Sequence, residues 1–272
     1  MTKRVYLTID DSPSKNTDVL TDFLASKNVP SVLFVRGEFM DPAVGNRAGF
    51  DKIVRAIRKG FIIANHSYAH ERTSEVGFTT QTAQITKTQQ LIDLAYETAG
   101  CAKPPRYFRF PHLDRGCGNA HAIDFMTVPE EYRAYVQHLF WDGVHLVTKA
   151  LPTGDQLQLK SDIQKWLIEN GFKKLPTPDV TLPWWTNSEL GDAIDSLVTF
   201  STSDWMVSPR HRGKWDIAST EDINKKIDSD PWLNREDSAH IVLMHDDKED
   251  LLTVTENIIT HMLNSNFIFL KP

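Results

Sequence analysis

Three short apolar runs, Val5–Ile9, Val32–Val35 and Phe61–Ala64, are separated by stretches of helical spacing, and this alternation constrains the fold more than any other feature. Lys15–Lys27 sets Val19, Leu20, Phe23 and Leu24 on a helical repeat. Phe50–Arg58 does the same with Ile53, Val54 and Ile57, and Gly60 ends that helix. Short, nearly continuous apolar runs between such helices read as strands of a parallel sheet buried on both faces. The pattern predicts an α/β chain, sheet or barrel, and in both its sites gather at the carboxyl ends of the strands.

Those ends carry unusual residues. Leu7–Pro13 reads LTIDDSP, so Asp10 and Asp11 stand side by side where Ser12-Pro13 stops the strand. Neighbours on an extended chain point in different directions, so one carboxylate can face an ion and the other a substrate. The plain alternative is a helix cap at Asp11 or Ser12. The third run leads into Asn65-His66-Ser67-Tyr68-Ala69-His70. A helix opening at Ser67 would put both imidazoles, four residues apart, on one face. Two imidazoles and a carboxylate make a metal set with a position left for water. Arg106–His112 reads RYFRFPH and predicts a fourth strand end, and an arginine between Phe108 and Phe110 is expected to be tied to a buried carboxylate.

Further along, Thr79–Ala99 predicts a long helix with Ile85, Leu91, Ile92 and Leu94 inward and Gly100 closing it. Asp155–Asn170 is an amphipathic segment, and Pro183-Trp184-Trp185 is read two ways: as core tryptophans of a helical decoration, or, among polar neighbours, as exposed indoles of a substrate-covering lid that would offer flat faces to a sugar ring. His138 and His145 read as ordinary surface or core histidines. Leu197–Phe200, Ile241–Met244 and Phe267–Leu270 predict strands, and Thr220–Ile227 and Leu251–Leu263 predict helices.

Composition narrows the function classes. The chain has 272 residues, 40% hydrophobic and 24% charged, enough for a large core. The formal net charge is −6 with no basic block, which argues against nucleic acid and anionic membranes as partners. No apolar run is long enough to span a bilayer, the first residues lack the pattern of a secretory leader, and two cysteines make no disulfide framework. A cytoplasmic protein of unspecified oligomeric state is the expectation.

Taken together and in this order, LTIDDSP, NHSYAH, RFPH, STSDW (Ser201–Trp205) and LMHD (Leu243–Asp246) resemble the polysaccharide deacetylases, carbohydrate esterase family four. The resemblance implies a distorted (β/α) barrel of about seven strands, one catalytic domain over 1–272 with an insert at about 113–196, between the third and fourth motifs. It implies a metal-dependent hydrolase that removes N-acetyl groups from an amino sugar in a polysaccharide, oligosaccharide or sugar precursor. By the same resemblance Asp11, His66 and His70 hold a divalent metal, zinc first, with cobalt or nickel as alternatives. Asp10 is the base, oriented by Arg109; His245 is the acid, held protonated by Asp204. Trp205 and Leu243 line a slot for the acyl methyl, and the backbone N–H of His112 faces the oxyanion. Trp184 and Trp185 are assigned to substrate binding. Two features depart from the family pattern: His112 replaces a Tyr or Phe, and the stretch from Arg109 to Asp204 is long. Two other readings use the same residues: a deformylase of a lipid-linked sugar or an amidase of a small nitrogenous compound, and a catalytically silent sugar-binding protein.

Overall fold

A computed structural model describes residues 2–118, 123–141, 151–247 and 250–272. The expectation for His145 lies outside them; His138 is exposed. The chain order is β1 (Lys3–Ser12), α1 (Thr17–Ser26), β2 (Ser31–Val35), α2 (Arg47–Arg58), β3 (Ile62–Asn65) and α3 (Thr73–Ala99). Then follow α4 (Arg133–Trp141), α5 (Gly154–Glu169), α6 (Pro183–Thr186), α7 (Glu189–Asp192) and β4 (Phe200–Ser201). The chain ends with α8 (Thr220–Ser229), β5 (Ala239–His245), α9 (Leu252–Asn264) and β6 (Phe267–Phe269).

All strand pairs are parallel, in the order β3-β2-β1-β5-β4. β5 takes one edge of β1 from Arg4 to Asp10, so β6, paired to Lys3–Val5, shares the other edge with β2. The α/β class is as expected. Of about seven barrel strands, six are regular among the described residues. Where a further strand is predicted at Arg106–His112, Phe108 makes a single parallel bridge to Asn65, which continues the curve of the sheet past β3. No helix among the described residues is long and apolar enough to cross a membrane.

Strand alternation decides what each face carries. Val5, Leu7 and Ile9 of β1 join Leu33, Val35, Ile63, Val242 and Met244 in one core, covered by Leu20 and Leu24 of α1, Ile53 and Ile57 of α2, and Ile258 and Met262 of α9. The opposite, inner face therefore receives Tyr6, Thr8 and Asp10, with Val32 and Phe34 of β2, Ala64 of β3, and Ile241, Leu243 and His245 of β5. Tyr6, Ile241 and Leu243 pack against the insert, on Val136, Phe140, Leu182, Trp184 and Leu190. Ile163 and Leu167 of α5 pack on Ile85, Phe108, Phe110 and Phe172.

Several local expectations change. Val19 and Leu94 are exposed, because the buried stripes run through Leu20 and Leu24 on α1 and through Ile85 and Ile92 on α3. α3 begins at Thr73 and is broken at Gly77, while Gly60 and Gly100 end their helices in the left-handed region that glycine enters without strain. Of the Leu197–Phe200 run only Phe200 is regular strand, in a β4 that continues to Ser201.

Trp184 and Trp185 are buried, which removes them as an exposed stacking wall. Pro183 starts the short α6, and the Trp184 ring then packs against Tyr135 at 5.5 Å and Trp232 at 6.2 Å. Burial of this much aromatic surface outweighs the polar character of the neighbouring sequence.

Candidate metal and catalytic site

Because the strands are parallel, the ends of β1, β2, β3 and β5 meet at one edge of the sheet. Register does the rest: Asp10 stands opposite His245 on β5 and Phe34 on β2, and Val35 stands opposite Asn65.

Asp11 is where simple alternation fails. The register between β1 and β2 slips between Asp10 and Ser12, and Asp11 takes a φ of 71°. This is a β-bulge with its extra residue in the left-handed region, a conformation that aspartate tolerates better than most residues. The bulge turns Asp11 back towards the inner face. Its Oδ1 lies 3.7 Å from His66 Nε2, and Asp10 Oδ2 lies 3.6 Å from the same nitrogen. The expectation that the two carboxylates point apart is corrected: both reach one imidazole.

No helix opens at Ser67. Residues 66–72 are irregular, with Ser67 and His70 both in the left-handed region. The imidazoles nonetheless converge, with ring centroids 5.1 Å apart, and His70 Nε2 is 3.1 Å from Asp11 Oδ1. The loop curls back on itself where a helix would have stacked the two residues one turn apart.

Asp11, His66 and His70 offer ligand atoms that all lie within 4.8 Å of one another. Two donors about 2.1 Å from a tetrahedral ion stand about 3.4 Å apart, which the 3.1 and 3.7 Å spacings of Asp11 Oδ1 from the two imidazoles bracket. Asp11 Oδ1 is buried without a hydrogen-bond partner, an orphaned charge that a cation would satisfy. His66 Nδ1 is 2.9 Å from the carbonyl of Arg109, so Nδ1 carries the proton and Nε2 presents its lone pair to the set. Burial, with the charges of His66, His112 and Arg36, pushes the His70 pKa well below its ordinary value, the neutral form a ligand needs. Burial works against the charge of Asp11, but His70, His66, His245 and Arg36 outweigh it and hold the carboxyl below the usual range. The residues fit a divalent cation.

Asp10 is anchored from behind. Arg109 is fully buried; its Nη1 donates to Asp10 Oδ1 at 2.7 Å and to Thr8 Oγ1 at 2.9 Å, and its Nε donates to the carbonyl of Ser196 at 2.8 Å. Thr8 and Asp10 are two apart on the inner face, so one guanidinium nitrogen serves both. The guanidinium also stacks over Phe34 at 4.2 Å. The expected tie between Arg109 and a buried carboxylate is present.

His245 reaches the edge from β5. Its ring Nδ1 donates to Asp204 Oδ1 at 2.8 Å, and its backbone N–H donates to Asp204 Oδ2 at 2.7 Å. Burial alone would lower the His245 pKa; the charge and hydrogen bond of fully buried Asp204, helped by Asp11 and Asp10, raise it to about 10. At neutral pH this imidazole is a cation with its Nε2–H unclaimed by Asp204.

The remaining expected residues surround this centre. Leu243 is buried two residues before His245, and Trp205, half-buried, follows Asp204 and packs edge-on to Trp215 at 5.7 Å. His112 is exposed, left-handed at φ 56°, and its ring centroid lies 4.3 Å from that of His70. Asp246 belongs to the last motif but received no role in the sequence reading. It is buried and accepts hydrogen bonds from Ser12 Oγ, Ser14 Oγ and Thr17 Oγ1 at 3.0, 2.5 and 2.6 Å. Its own N–H donates to Asp10 O at 2.8 Å, so it ties the end of β5 to the turn that follows the two aspartates. The hydroxyl run Ser12, Ser14, Thr17 was the available signal for a buried acceptor.

Comparison with known proteins agrees with this architecture. Residues 1–122 match the polysaccharide deacetylase family model. A peptidoglycan-N-acetylglucosamine deacetylase of Bacillus cereus is 33% identical over 145 residues, 52% of this chain and 47% of that protein. A bifunctional xylanase/deacetylase of Pseudobutyrivibrio xylanivorans is 31% identical over 111 residues, 41% of this chain and 17% of its own. The chain thus spans about half or less of the length of these curated relatives. Among solved structures, the catalytic domain of a peptidoglycan N-acetylglucosamine deacetylase from Eubacterium rectale superposes with a TM-score of 0.55 at 20% identity, over 100% of this chain and 89% of that one. A family 4 carbohydrate esterase from Streptomyces lividans gives 0.53 at 18% identity, over 97% and 90%. Both likenesses concern the fold. With the five motifs assembled at one sheet edge, residues 1–122 match the polysaccharide deacetylase family model, and the chain as a whole shares the fold of carbohydrate esterase family 4 structures.

Proposed function

We propose that the protein is a metal-dependent hydrolase that removes N-acetyl groups from amino sugars of a polysaccharide, oligosaccharide or sugar precursor, the whole chain acting as one catalytic unit. One observation carries the reading. Buried Asp10, held by Arg109, and protonated His245, held by Asp204, stand in register on adjacent strands beside the Asp11–His66–His70 set. A base and an acid flanking a cation site are what amide hydrolysis requires, whereas a silent sugar-binding protein has no use for them. The family-model match over residues 1–122 and the names of the relatives support this reading.

Asp11, His66 and His70 would hold the ion, for which zinc suits two imidazoles and a carboxylate, with cobalt and nickel as substitutes. When bound, a divalent ion polarises an acyl oxygen and lowers the pKa of a water. Asp10 takes the proton from the attacking water, and Arg109 keeps that carboxylate aimed through its hydrogen bond. His245 Nε2–H gives its proton to the departing amine, which must leave neutral; Asp204 keeps that proton available at neutral pH. The backbone N–H of His112 serves the oxyanion, and Leu243 and Trp205 bound a small slot for the acyl methyl.

The test is acetate and formate release from N-acetylglucosamine oligomers and N-formyl analogues, with zinc and after chelation. Acetate release that stops on chelation and returns with zinc is expected. A zinc-loaded protein that releases formate but no acetate would make the enzyme a deformylase. One that binds the oligomers and releases neither would contradict the proposal.

A further inference from the structure

The two imidazoles of the cation set sit four residues apart on a loop that is not a helix: its first half is held by backbone bonds from the His66 N–H to the Val35 carbonyl and from the Gly37 and Glu38 N–H groups to the Ser67 and Tyr68 carbonyls, and these do not reach Ala69. Two left-handed residues, Ser67 and His70, shape that loop, and such strained conformations persist only where surrounding groups enforce them. One side chain reaches the loop at more points than any other that the hydrogen bonds record. Gln84, on α3, accepts from the Ala69 N–H at 2.9 Å and from Ser67 Oγ at 3.1 Å, both with Oε1. Its Nε2 donates to Glu71 Oε2, just past His70. One amide thus touches the residues on either side of the segment between the two histidines.

We infer that Gln84 is a positioning residue for the cation site: its carbonyl oxygen replaces the missing helix hydrogen bonds and holds the His66–His70 loop in the curl that brings the two imidazoles together. This rests on the reading of Asp11, His66 and His70 as a metal set. Gln84 touches neither imidazole, so it acts through the backbone. The acceptor is the half that matters, because Oε1 binds the loop between the histidines, whereas Nε2 reaches only an exposed carboxylate beyond it. Other groups brace the same loop from other directions. Asn65 Oδ1 accepts from the Ser67 N–H at 2.9 Å, and the Tyr68 hydroxyl donates to Asp41 at 2.8 Å. Only Gln84 binds two loop groups through one atom among these.

The experiment compares Gln84→Met, which keeps the volume and removes both acceptor and donor, with Gln84→Glu, which keeps the acceptor and removes the donor. Co2+ affinity by chelator competition and the Co2+ visible spectrum are read on the parent, both variants and Asp11→Asn; unfolding of the metal-free proteins is read alongside. Outer groups that orient a ligand typically contribute about 10–100-fold in metal affinity. Gln84→Met should therefore weaken Co2+ binding about tenfold or more and alter the spectrum, while Gln84→Glu stays within a few-fold of the parent. Parent-like affinity and spectrum in Gln84→Met would overturn the inference, and so would an equal loss in Gln84→Glu. If Gln84→Met does not fold, a parent-like spectrum in Gln84→Glu supports the acceptor role and an altered one rejects it. A parent whose Co2+ binding survives Asp11→Asn unchanged instead sinks the metal set itself, and this inference with it.

Discussion

At the carboxyl edge of the sheet, polar side chains are buried against one another; around Trp184 and Trp185, aromatic side chains are. Arg109, Asp10 and Asp204 are almost wholly enclosed, yet each has an ionic partner. Trp184 and Trp185 are enclosed by Tyr135, Trp232, Leu182 and the β5 residues Ile241 and Leu243. Burying charge is costly unless it is paired, so the first region accepts that cost for a set of groups held in chosen protonation states. The second gains from burial and supplies the floor on which Tyr6, Ile241 and Leu243 rest. Substitutions should therefore separate the two regions: chemistry is the main loss at the edge, and stability is the main loss around the tryptophans.

The largest effect that does not involve the ion is expected for His245→Ala. Turnover of an N-acetyl sugar should fall by about a hundredfold or more, the usual range for a lost general acid, with metal content unchanged. On an acyl ester the loss should be smaller, since an alkoxide leaves with less help from a proton. Equal losses on amide and ester would count against the acid role.

Asp204→Asn comes next. The side chain keeps its shape but loses the charge that raises the His245 pKa from 6.5 to about 10. The alkaline limb of kcat/KM against pH should move down by about 1–3 pH units, with less change at pH 6. The sign for stability follows from the same shift. A histidine with a raised folded-state pKa contributes stability that is complete below about 6.5 and is lost as pH rises through about 10. Asp204→Asn should accordingly flatten the fall in stability between neutral and alkaline pH. An alkaline limb that stays in place would assign it to some group other than His245.

The smallest effect on chemistry is expected in the insert. Trp184→Ala should destabilise the fold by about 3–5 kcal/mol, the usual cost of emptying a buried indole site. Activity per folded molecule should be the same on short and long substrates. A selective loss on long substrates with an unchanged melting temperature would give the insert a part in binding and erase the contrast.

The contrast also explains what could be read in advance. The strand–helix alternation, the parallel order and the residues gathered at the strand ends are properties of single segments, and local periodicity reports them. The bulge at Asp11 is not such a property. It exists because β1 slips its register against β2, which no pattern within LTIDDSP records. The loop from His66 to His70 escaped for a related reason: a spacing of four fits a helix and a curl equally well, and the groups that hold the curl, the backbone at Val35, Gly37 and Glu38 and the side chain of Gln84, are far away along the chain. The two tryptophans looked exposed because their sequence neighbours are polar. Their burial depends on Tyr135 and Trp232, each far away along the chain.

The adjacent aspartates give the most direct test of the account. After dialysis, Asp10→Asn and Asp11→Asn would each be assayed for bound zinc by elemental analysis. Asp10→Asn should retain about one zinc per chain and be nearly inactive whatever the zinc concentration, because its three ligands survive and its base does not. Asp11→Asn should lose its zinc on dialysis and recover part of its activity when zinc is added back. The bulge brings both carboxylates within reach of His66, so the two roles could have been exchanged. Zinc retained by Asp11→Asn and lost by Asp10→Asn would show that they are.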